Sequence, residues 1–270
     1  MNTTFKIPST SANNNIVIEI GTSNIALLCY STYPFTASGF YYFTITAKDT
    51  LVTVAEEIKI ILQNENLLAA DQVNIFYNYA DTTLVPATYF KASSLNSIAA
   101  LMFGSKTDSE ILYETISIQN IENIYAVPYE IKNTISALYP HAKIMHSLSK
   151  AIQLTNGTKL LATVYDTEIR LVLFKENMFM LATYFDYSTP EDVCYHLLNV
   201  CERYKVPADD VEVILNGMID TNSNLYREIY KFFLHTSIEQ MPEKTILAEN
   251  FEGMNAHYFS PLVKLAKCVS

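Results

Sequence analysis

No apolar run in this 270-residue chain approaches the roughly 20 residues that a helix needs to cross a bilayer. The first residues also lack the basic-then-apolar pattern of a secretory signal, so residues 1–15 are expected to form a polar tail and the protein to be cytoplasmic. Basic side chains are few, with 18 Lys and Arg against 28 Asp and Glu and a formal net charge of −10. Because phosphates are bound mainly by Lys and Arg, this charge argues against nucleic acid and acidic membranes as partners.

Sequence motifs for metal binding and nucleophilic catalysis are absent as well. The four cysteines form no CxxC pair, and we interpret them as buried apolar residues. The five histidines show no HxxxH or HExxH spacing, and only Cys194 and His196 resemble a zinc-binding pair. The G-x-S-x-G elbow of hydrolases and the clustered carboxylates of two-metal nucleases are missing too. The sequence therefore predicts no metal site and no catalytic residue of these kinds.

The composition is that of a globular chain. Half of the residues are hydrophobic and only 17% are charged, which suffices for one large or two medium domains with substantial cores. Aromatic side chains are numerous, with 19 Tyr and 14 Phe. Tyr226, Tyr230 and Phe233 would share one helical face, which could lie in the core or at an interface with another protein.

Two stretches of the chain follow one pattern: three strands, a helix, a strand and a helix. Ala70–Phe76 parallels Ala208–Ile214, and each segment follows an amphipathic helix. In the first stretch the predicted elements are strands at Ile16–Ile20, Ile25–Tyr30 and Phe40–Thr46, a helix from Thr53, a strand at Val73–Tyr77 and a helix at Leu95–Phe103. In the second they are strands at Leu160–Tyr165, Ile169–Phe174 and Met178–Phe185, a helix from Thr189, a strand at Val211–Leu215 and a helix at Leu225–Leu234. We interpret this order as an internal duplication, with chance similarity as the alternative.

Capping residues and chain breakers predict the remaining boundaries. Thr189 is followed by Pro190 and by Asp192, a combination typical of a helix start. Further predicted elements are strands at Ile111–Ile118, Ile121–Val127 and Ala142–Met145, and helices at Tyr129–Tyr139, Leu148–Leu154 and from Ser260. The pair Asn156-Gly157 then separates a first lobe, 16–156, from a second lobe, 157–256. A C-terminal helix, 257–270, could return to the first lobe.

A three-stranded meander joined by a helix to a parallel strand is the ribonuclease-H-like unit, and two such units in tandem resemble the actin-like ATPase superfamily. The chain is also similar to a bacterial domain-of-unknown-function family with an actin-like fold, and distantly to pilus-assembly and cell-division actin relatives. The segments that support this similarity are Ile18–Leu28, Thr82–Pro86, Ala126–Glu130 and Phe185–Leu197. The resemblance implies an α/β fold of actin-like ATPase architecture, with two tandem ribonuclease-H-like units and a cleft between them.

The segment Ile16–Tyr30 predicts a β-hairpin whose tip contains a glycine and hydroxyl side chains, and such a tip can hold a phosphate. In the superfamily, two D-x-G hairpin tips face the phosphates and metal of ATP, and a Gly-Gly turn receives the adenosine. Here Glu replaces Asp in the first tip, Thr163 and Tyr165 replace Asp and Gly in the second, and the turn keeps one glycine. The residues that the resemblance implies for nucleotide binding are Glu19, Gly21, Thr22, Ser23, Asn24, Asp166, Asn216 and Gly217.

These uneven motifs lead to two functional hypotheses. Phosphoryl transfer needs well-positioned phosphates and a metal, so a chain with half of the phosphate contacts should be a poor ATPase. The first hypothesis is a non-catalytic or weakly catalytic actin-like protein that acts through a protein partner or self-association and needs no cofactor. The alternative is an ATP-binding enzyme or nucleotide-dependent switch, an ATPase or small-molecule kinase, that binds ATP and Mg²⁺ in the interlobe cleft.

Overall fold

The computed structural model describes residues 2–9, 15–46, 49–65, 67–153 and 157–270. Residues 10–14 of the expected tail and Asn156 of the expected lobe boundary lie outside this part of the chain. The structure divides into two compact units. Unit 1 comprises Met1–Gln153, Lys244–Glu252 and Leu265–Ser270, and unit 2 comprises Leu154–Glu243 and Gly253–Lys264.

The described residues form strands, α-helices and short 3-10 turns in a mixed α/β order. The strands are β1 (Asn2–Ile7), β2 (Asn15–Gly21), β3 (Asn24–Thr32), β4 (Phe35–Thr44), β5 (Gln72–Asn78), β6 (Thr82–Pro86), β7 (Ser109–Ile116), β8 (Ile121–Pro128), β9 (Lys143–His146), β10 (Lys159–Val164), β11 (Glu168–Lys175), β12 (Met178–Asp186), β13 (Glu212–Gly217), β14 (His235–Ile238) and β15 (Ile246–Leu247). The helices are α1 (Leu51–Asn64), α2 (Leu95–Phe103), α3 (Tyr129–Leu138), α4 (Ser147–Gln153), α5 (Pro190–Arg203), α6 (Asn224–Phe232) and α7 (Ser260–Val269). No helix in the described ranges is long and apolar enough to span a membrane.

The main sheet of unit 1 has the strand order β1-β4-β3-β2-β5-β9, and β15 pairs with β4. Strands β2, β3 and β4 form an antiparallel meander, whereas β5 pairs parallel with β2 and β9 pairs parallel with β5. Alternate residues of β2, namely Ile16, Ile18 and Ile20, face the core, as the period of two in a strand requires. They pack with Val54 and Ile58 of the amphipathic helix α1 in one hydrophobic cluster.

The sheet of unit 2 has the order β12-β11-β10-β13-β14. Its first three strands pair antiparallel and its last two pairings are parallel, so its topology matches β4-β3-β2-β5-β9 of unit 1 strand for strand. Leu160, Ala162 and Val164 of β10 pack with Val193 and Leu197 of α5 in a second hydrophobic cluster. The predicted order of elements is therefore confirmed in both stretches, and the internal duplication itself stays a prediction.

A three-stranded antiparallel sheet, β6-β8-β7, completes the strands of unit 1. The expected strands 111–118 and 121–127 are present as β7 and β8, shifted by one or two residues. The structure differs from the expected polar tail at Asn2–Ile7, because these residues form β1 and pair antiparallel with β4. Phe5 explains the difference, since its ring packs edge-on against Phe40 at a centroid distance of 5.9 Å.

The two long helices begin in similar ways. The expected N-cap of α5 is confirmed: Thr189 Oγ1 accepts from the backbone N–H of Asp192 at 3.3 Å, and Asp192 Oδ2 accepts from the N–H of Thr189 at 2.9 Å. For α1 the expected start at Thr53 is wrong by one turn. Thr50 is the N-cap, and its hydroxyl accepts from the N–H of Thr53 at 3.1 Å. Two threonines three residues apart compete for this role, and the earlier one adds a turn to the helix.

The capping box of α5 gives a prediction about pH. Hydrogen bonds from the backbone N–H groups of Ser188 and then Thr189 lower the pKa of Asp192. A carboxylate whose folded pKa lies below its unfolded value of about 3.9 stabilises the fold above that value and loses the effect as pH falls through its folded pKa. We therefore expect Asp192→Asn to lower the urea midpoint near neutral pH and to match the wild type in strong acid. A difference between the two urea midpoints that is independent of pH would contradict this assignment.

Candidate functional site

The tip of the β2–β3 hairpin contains the first group of predicted site residues. Ile20 pairs with Ile25, so residues 21–24 form the turn predicted from the sequence. Thr22 is exposed at the tip, whereas Ser23 and Asn24 are buried. The turn therefore offers one hydroxyl to solvent and turns its other polar side chains inward.

Glu19 is the carboxylate that the sequence predicts for this tip, and it is almost completely buried, with 1% of its surface exposed. The hydroxyl of Ser147, the first residue of α4, donates to Glu19 Oε2 at 2.6 Å. Ser147 reaches this position because β9, which directly precedes α4, pairs with β5 next to β2. One carboxylate oxygen is thus bound by a hydroxyl of the protein itself.

Gly21 lies close against the neighbouring strand. It pairs with Asn78 at the end of β5, and a Cβ on Gly21 would lie 3.0 Å from the carbonyl oxygen of Asn78 and 3.3 Å from Asn24 Oδ1. Such distances are tighter than ordinary carbon–oxygen contacts. A side chain at this position of the first tip would therefore push against the neighbouring parallel strand.

Two side chains at the first tip have no hydrogen-bond partner within the described residues. These are the buried amide of Asn24, at both its nitrogen and its oxygen, and the buried hydroxyl of Ser23. A buried polar group without a partner costs about 1–3 kcal/mol, and native proteins satisfy such groups with water or ligands. The tip therefore has the capacity to bind a small polar molecule through Asn24 and Ser23.

A buried polar network extends from this tip into the small sheet. Leu148 donates its N–H to His146 Nδ1 at 3.2 Å, so the proton of this ring is assigned to Nε2, which lies 3.2 Å from the carbonyl oxygen of Tyr79. The backbone N–H of His146 donates to Glu114 Oε1 at 2.7 Å. Burial raises the pKa of Glu114, and hydrogen bonds from Ser149 and His146 oppose this effect.

The network ends on β8. Asn123 Nδ2 donates to Ser149 Oγ at 2.9 Å, and Thr82 Oγ1 donates to Asn123 Oδ1 at 2.5 Å. These contacts fix the start of α4, which also provides Ser147 to Glu19. His146, Ser147 and Ser149 belong to no motif that is visible in the sequence, although Thr82 lies in a segment that supports the family resemblance.

The second predicted tip, between β10 and β11, is filled by its own side chains. Val164 pairs with Ile169, so residues 165–168 form a turn of the same length as the first. Tyr165 replaces the expected glycine and is 3% exposed. Its N–H donates to the carbonyl of Glu168 at 3.0 Å, and its carbonyl accepts from the hydroxyl of Tyr187 at 2.5 Å. Both backbone groups of Tyr165 are therefore already in use.

A buried arginine lies beside Thr163, the position at which the resemblance expects a carboxylate. Arg170 is the cross-strand neighbour of Thr163, and its Nη2 donates to Thr163 Oγ1 at 3.2 Å. The guanidinium carbon lies 5.8 Å from the centre of the Tyr165 ring, within the range of cation–π attraction. Asp166 is half-buried in the turn. Burial, and to a smaller extent the charge of Asp166, raises the pKa of Tyr187 to about 12.

The predicted adenosine turn lies beside this tip, because Thr163 pairs with Asn216 and Val164 with Gly217. Gly217 has a φ of +80°, and a Cβ there would lie 2.4 Å from the carbonyl oxygen of Val164. The same carbonyl accepts from the N–H of Met218 at 2.8 Å. The strand contact therefore requires this glycine. Asn216 Oδ1 is buried and has no hydrogen-bond partner among the described residues.

The structure groups the predicted site residues by unit. Glu19, Gly21, Thr22, Ser23 and Asn24 lie together in unit 1, and Asp166, Asn216 and Gly217 lie together in unit 2. Within the described ranges, no group of three or more His, Cys, Asp or Glu side chains could hold a metal ion. The local chemistry of both tips is therefore that of buried amides, hydroxyls and single charges.

Solved structures with the same arrangement of elements have an actin-like ATPase fold. A protein of unknown function from Bacteroides thetaiotaomicron VPI-5482 with this fold aligns at a TM-score of 0.73 and 18% identity, over 84% of this chain and 90% of that one. A chain of the PilM–PilN type IV pilus biogenesis complex aligns at a TM-score of 0.64 and 11% identity, over 94% of this chain and 97% of that one. The ethanolamine utilization protein EutJ from Carboxydothermus hydrogenoformans aligns at a TM-score of 0.50 and 8% identity, over 94% of this chain and 89% of that one.

The protein is therefore an α/β protein with an actin-like ATPase fold, as the sequence predicts. More narrowly, it belongs to the family described as "Protein of unknown function (DUF3822)", whose model matches residues 3–236. A search of curated proteins finds no match.

The strand contact at Gly217 gives a prediction about stability. Gly217→Ala and Gly104→Ala both place a side chain at a φ near +80°, which costs about 1–3 kcal/mol in backbone strain. Only Gly217→Ala also collides with the carbonyl of Val164, whereas the space around Gly104 is open. We expect the loss in unfolding free energy, measured with urea, to be larger for Gly217→Ala by about 1–3 kcal/mol. Equal losses in the two variants would exclude the collision.

The contact between Ser147 and Glu19 gives a second prediction about stability. Ser147→Ala removes a hydrogen bond to a buried carboxylate and should lower the unfolding free energy by about 1.5–3 kcal/mol. Ser105→Ala is the control, because Ser105 is exposed and its loss should stay within about 0.5 kcal/mol. Glu19→Gln in the Ser147→Ala background should recover part of the loss, since a neutral amide tolerates burial better than a charge. Equal stability of Ser147→Ala and Ser105→Ala would contradict the role of this hydroxyl.

Proposed function

We propose that the protein acts through protein–protein contact on an actin-like scaffold and does not catalyse phosphoryl transfer. The observation that carries this proposal is the second tip, where Tyr165 is buried and both its backbone groups are hydrogen-bonded within the chain. A phosphate-binding tip needs accessible backbone N–H groups and no obstructing side chain. At Tyr165 neither condition is met.

The residues present also fit Mg²⁺-ATP poorly. Magnesium in phosphoryl-transfer sites is held by carboxylates and phosphate oxygens. Thr163 offers a hydroxyl in place of a carboxylate, and the buried guanidinium of Arg170 donates to that hydroxyl, so its positive charge would repel a cation beside Thr163. Glu19 is bound by Ser147. We therefore propose no role for ATP or Mg²⁺ in the action of this protein.

The ligand that we propose is a protein partner or a second copy of the chain. A chain with this fold forms the PilM–PilN type IV pilus biogenesis complex, which supports the use of the fold in a protein assembly. The net charge of −10 opposes nucleic acid as a partner. The cytoplasmic location stays a prediction from the sequence.

The experiment is isothermal titration with ATP and Mg²⁺, together with an assay of phosphate release. We expect no phosphate release above that of the buffer, because the buried Tyr165 obstructs the second tip. Turnover that disappears in Glu19→Ala and persists in Glu202→Ala, a change at an exposed position, would overturn the proposal.

The alternative function, a nucleotide-dependent switch without turnover, is favoured by one observation. Asn24 and Ser23 are buried at the first tip and their side chains have no hydrogen-bond partner among the described residues. Thermal unfolding with ATP, ADP and GTP tests it, because a ligand that binds only the folded state raises the melting temperature. Thr22→Glu adds a negative charge at the exposed tip and should abolish such a shift. The absence of a shift in the wild type would exclude this alternative.

A further inference from the structure

The strand β12 forms one edge of the sheet in unit 2, and its neighbour in the sheet is β11. Its nine residues include neither Pro nor Gly, and Asp186, at its end, is its one charged side chain. Proteins usually protect an exposed edge strand from pairing with another strand by placing charges, prolines or bulges in it. Here a bulge at Met180 protects the beginning of the strand and leaves Leu181–Asp186 regular.

The corresponding edge in unit 1 is covered. The strand β4 occupies the same place in its meander, and its outer side pairs antiparallel with β1 and parallel with β15. Within the described residues, the chain provides no such strand for β12. The matching topology of the two sheets thus indicates what would cover β12, namely an extended strand in antiparallel pairing.

The sequence of β12 is compatible with pairing to itself. A twofold axis through Thr183 would place Leu181 opposite Phe185 and Ala182 opposite Tyr184 of a second copy, with the two Thr183 residues opposite each other. Aromatic–aliphatic and Thr–Thr pairs stabilise antiparallel strands. Asp186, the one charged residue of β12, lies outside the paired segment Leu181–Phe185, so this pairing places no charged residues opposite each other.

We propose that two copies of the protein form a dimer through antiparallel pairing of Leu181–Phe185, which joins the two unit 2 sheets into one ten-stranded sheet. This proposal rests on the proposed function in one respect: it names the partner as a second copy. A monomeric protein without ATPase activity would overturn the dimer and leave the proposed function in place. ATP turnover by a dimer would overturn the proposed function and leave the dimer in place.

Cysteine crosslinking tests the register. Directly opposite residues in antiparallel strands have Cα atoms about 4.5–5.5 Å apart, which suits a disulfide. Thr183→Cys should therefore convert to a covalent dimer with a mild oxidant such as diamide, as seen on a non-reducing gel. Thr221→Cys is the matched control, because Thr221 is exposed in the same unit. Equal crosslinking of the two variants, or none with Thr183→Cys, would overturn the proposed pairing.

Charge substitution tests the same axis in solution. Thr183→Lys and Thr183→Glu each place two like charges opposite each other at the twofold axis. Each variant should therefore raise the dimer dissociation constant by at least about 100-fold. An equimolar mixture should restore the dimer, because opposite charges then meet. Light scattering measures the mass, and circular dichroism checks that both variants fold; if they do not, the crosslinking result decides. A wild type that remains monomeric, or a dimer unaffected by either charge, would overturn the proposal and leave the edge to a strand from another protein.

Discussion

Parallel pairing between neighbouring strands is the constraint on which both predicted nucleotide motifs depend. In unit 1, β2 and β5 run side by side to Gly21 and Asn78, and in unit 2, β10 and β13 run side by side to Val164 and Gly217. At each end the backbones approach so closely that a Cβ on the glycine would meet a carbonyl oxygen. A glycine at such a place follows from sheet geometry, whatever the protein binds.

This constraint changes the meaning of the motif glycines. As parts of motifs that resemble those of the actin-like ATPase superfamily, Gly21 and Gly217 suggest turns that approach phosphates and adenosine. In the structure, each glycine lies close against the strand beside it, and two other residues of these motifs make hydrogen bonds within the chain. Glu19 accepts from Ser147, and the backbone of Tyr165 is hydrogen-bonded within its own unit. The glycines therefore give little support to nucleotide binding, and the polar side chains decide the chemistry.

Buried polar groups distinguish the two tips. The first has amide and hydroxyl groups of Asn24 and Ser23 without hydrogen-bond partners in the described part of the chain. The second has a guanidinium, Arg170, held by Thr163 and by the face of Tyr165. A charge at low dielectric is costly unless such contacts are fixed in place. The second tip thus accommodates its own arginine through these two contacts.

Local patterns in the sequence predicted much of the fold correctly. The α5 capping box depends on residues three positions apart, and the two hairpins depend on turns of four residues, so both are visible in a short window. The start of α1 was misplaced by one turn because Thr50 and Thr53 are equivalent candidates for the same cap. The strand β1 was missed because its pairing with β4 joins segments more than thirty residues apart.

The sequence by itself determined the alternation of strands and helices, the positions of both tips, and the side chains that differ from an ATPase at the second tip. Only the tertiary structure decided which polar groups are in contact. Ser147 and Glu19 are separated by 128 residues, and their hydrogen bond forms because β9 pairs parallel with β5. Periodicity and capping act within a few residues, whereas the partner of a buried charge is chosen by strand order, which the whole chain sets.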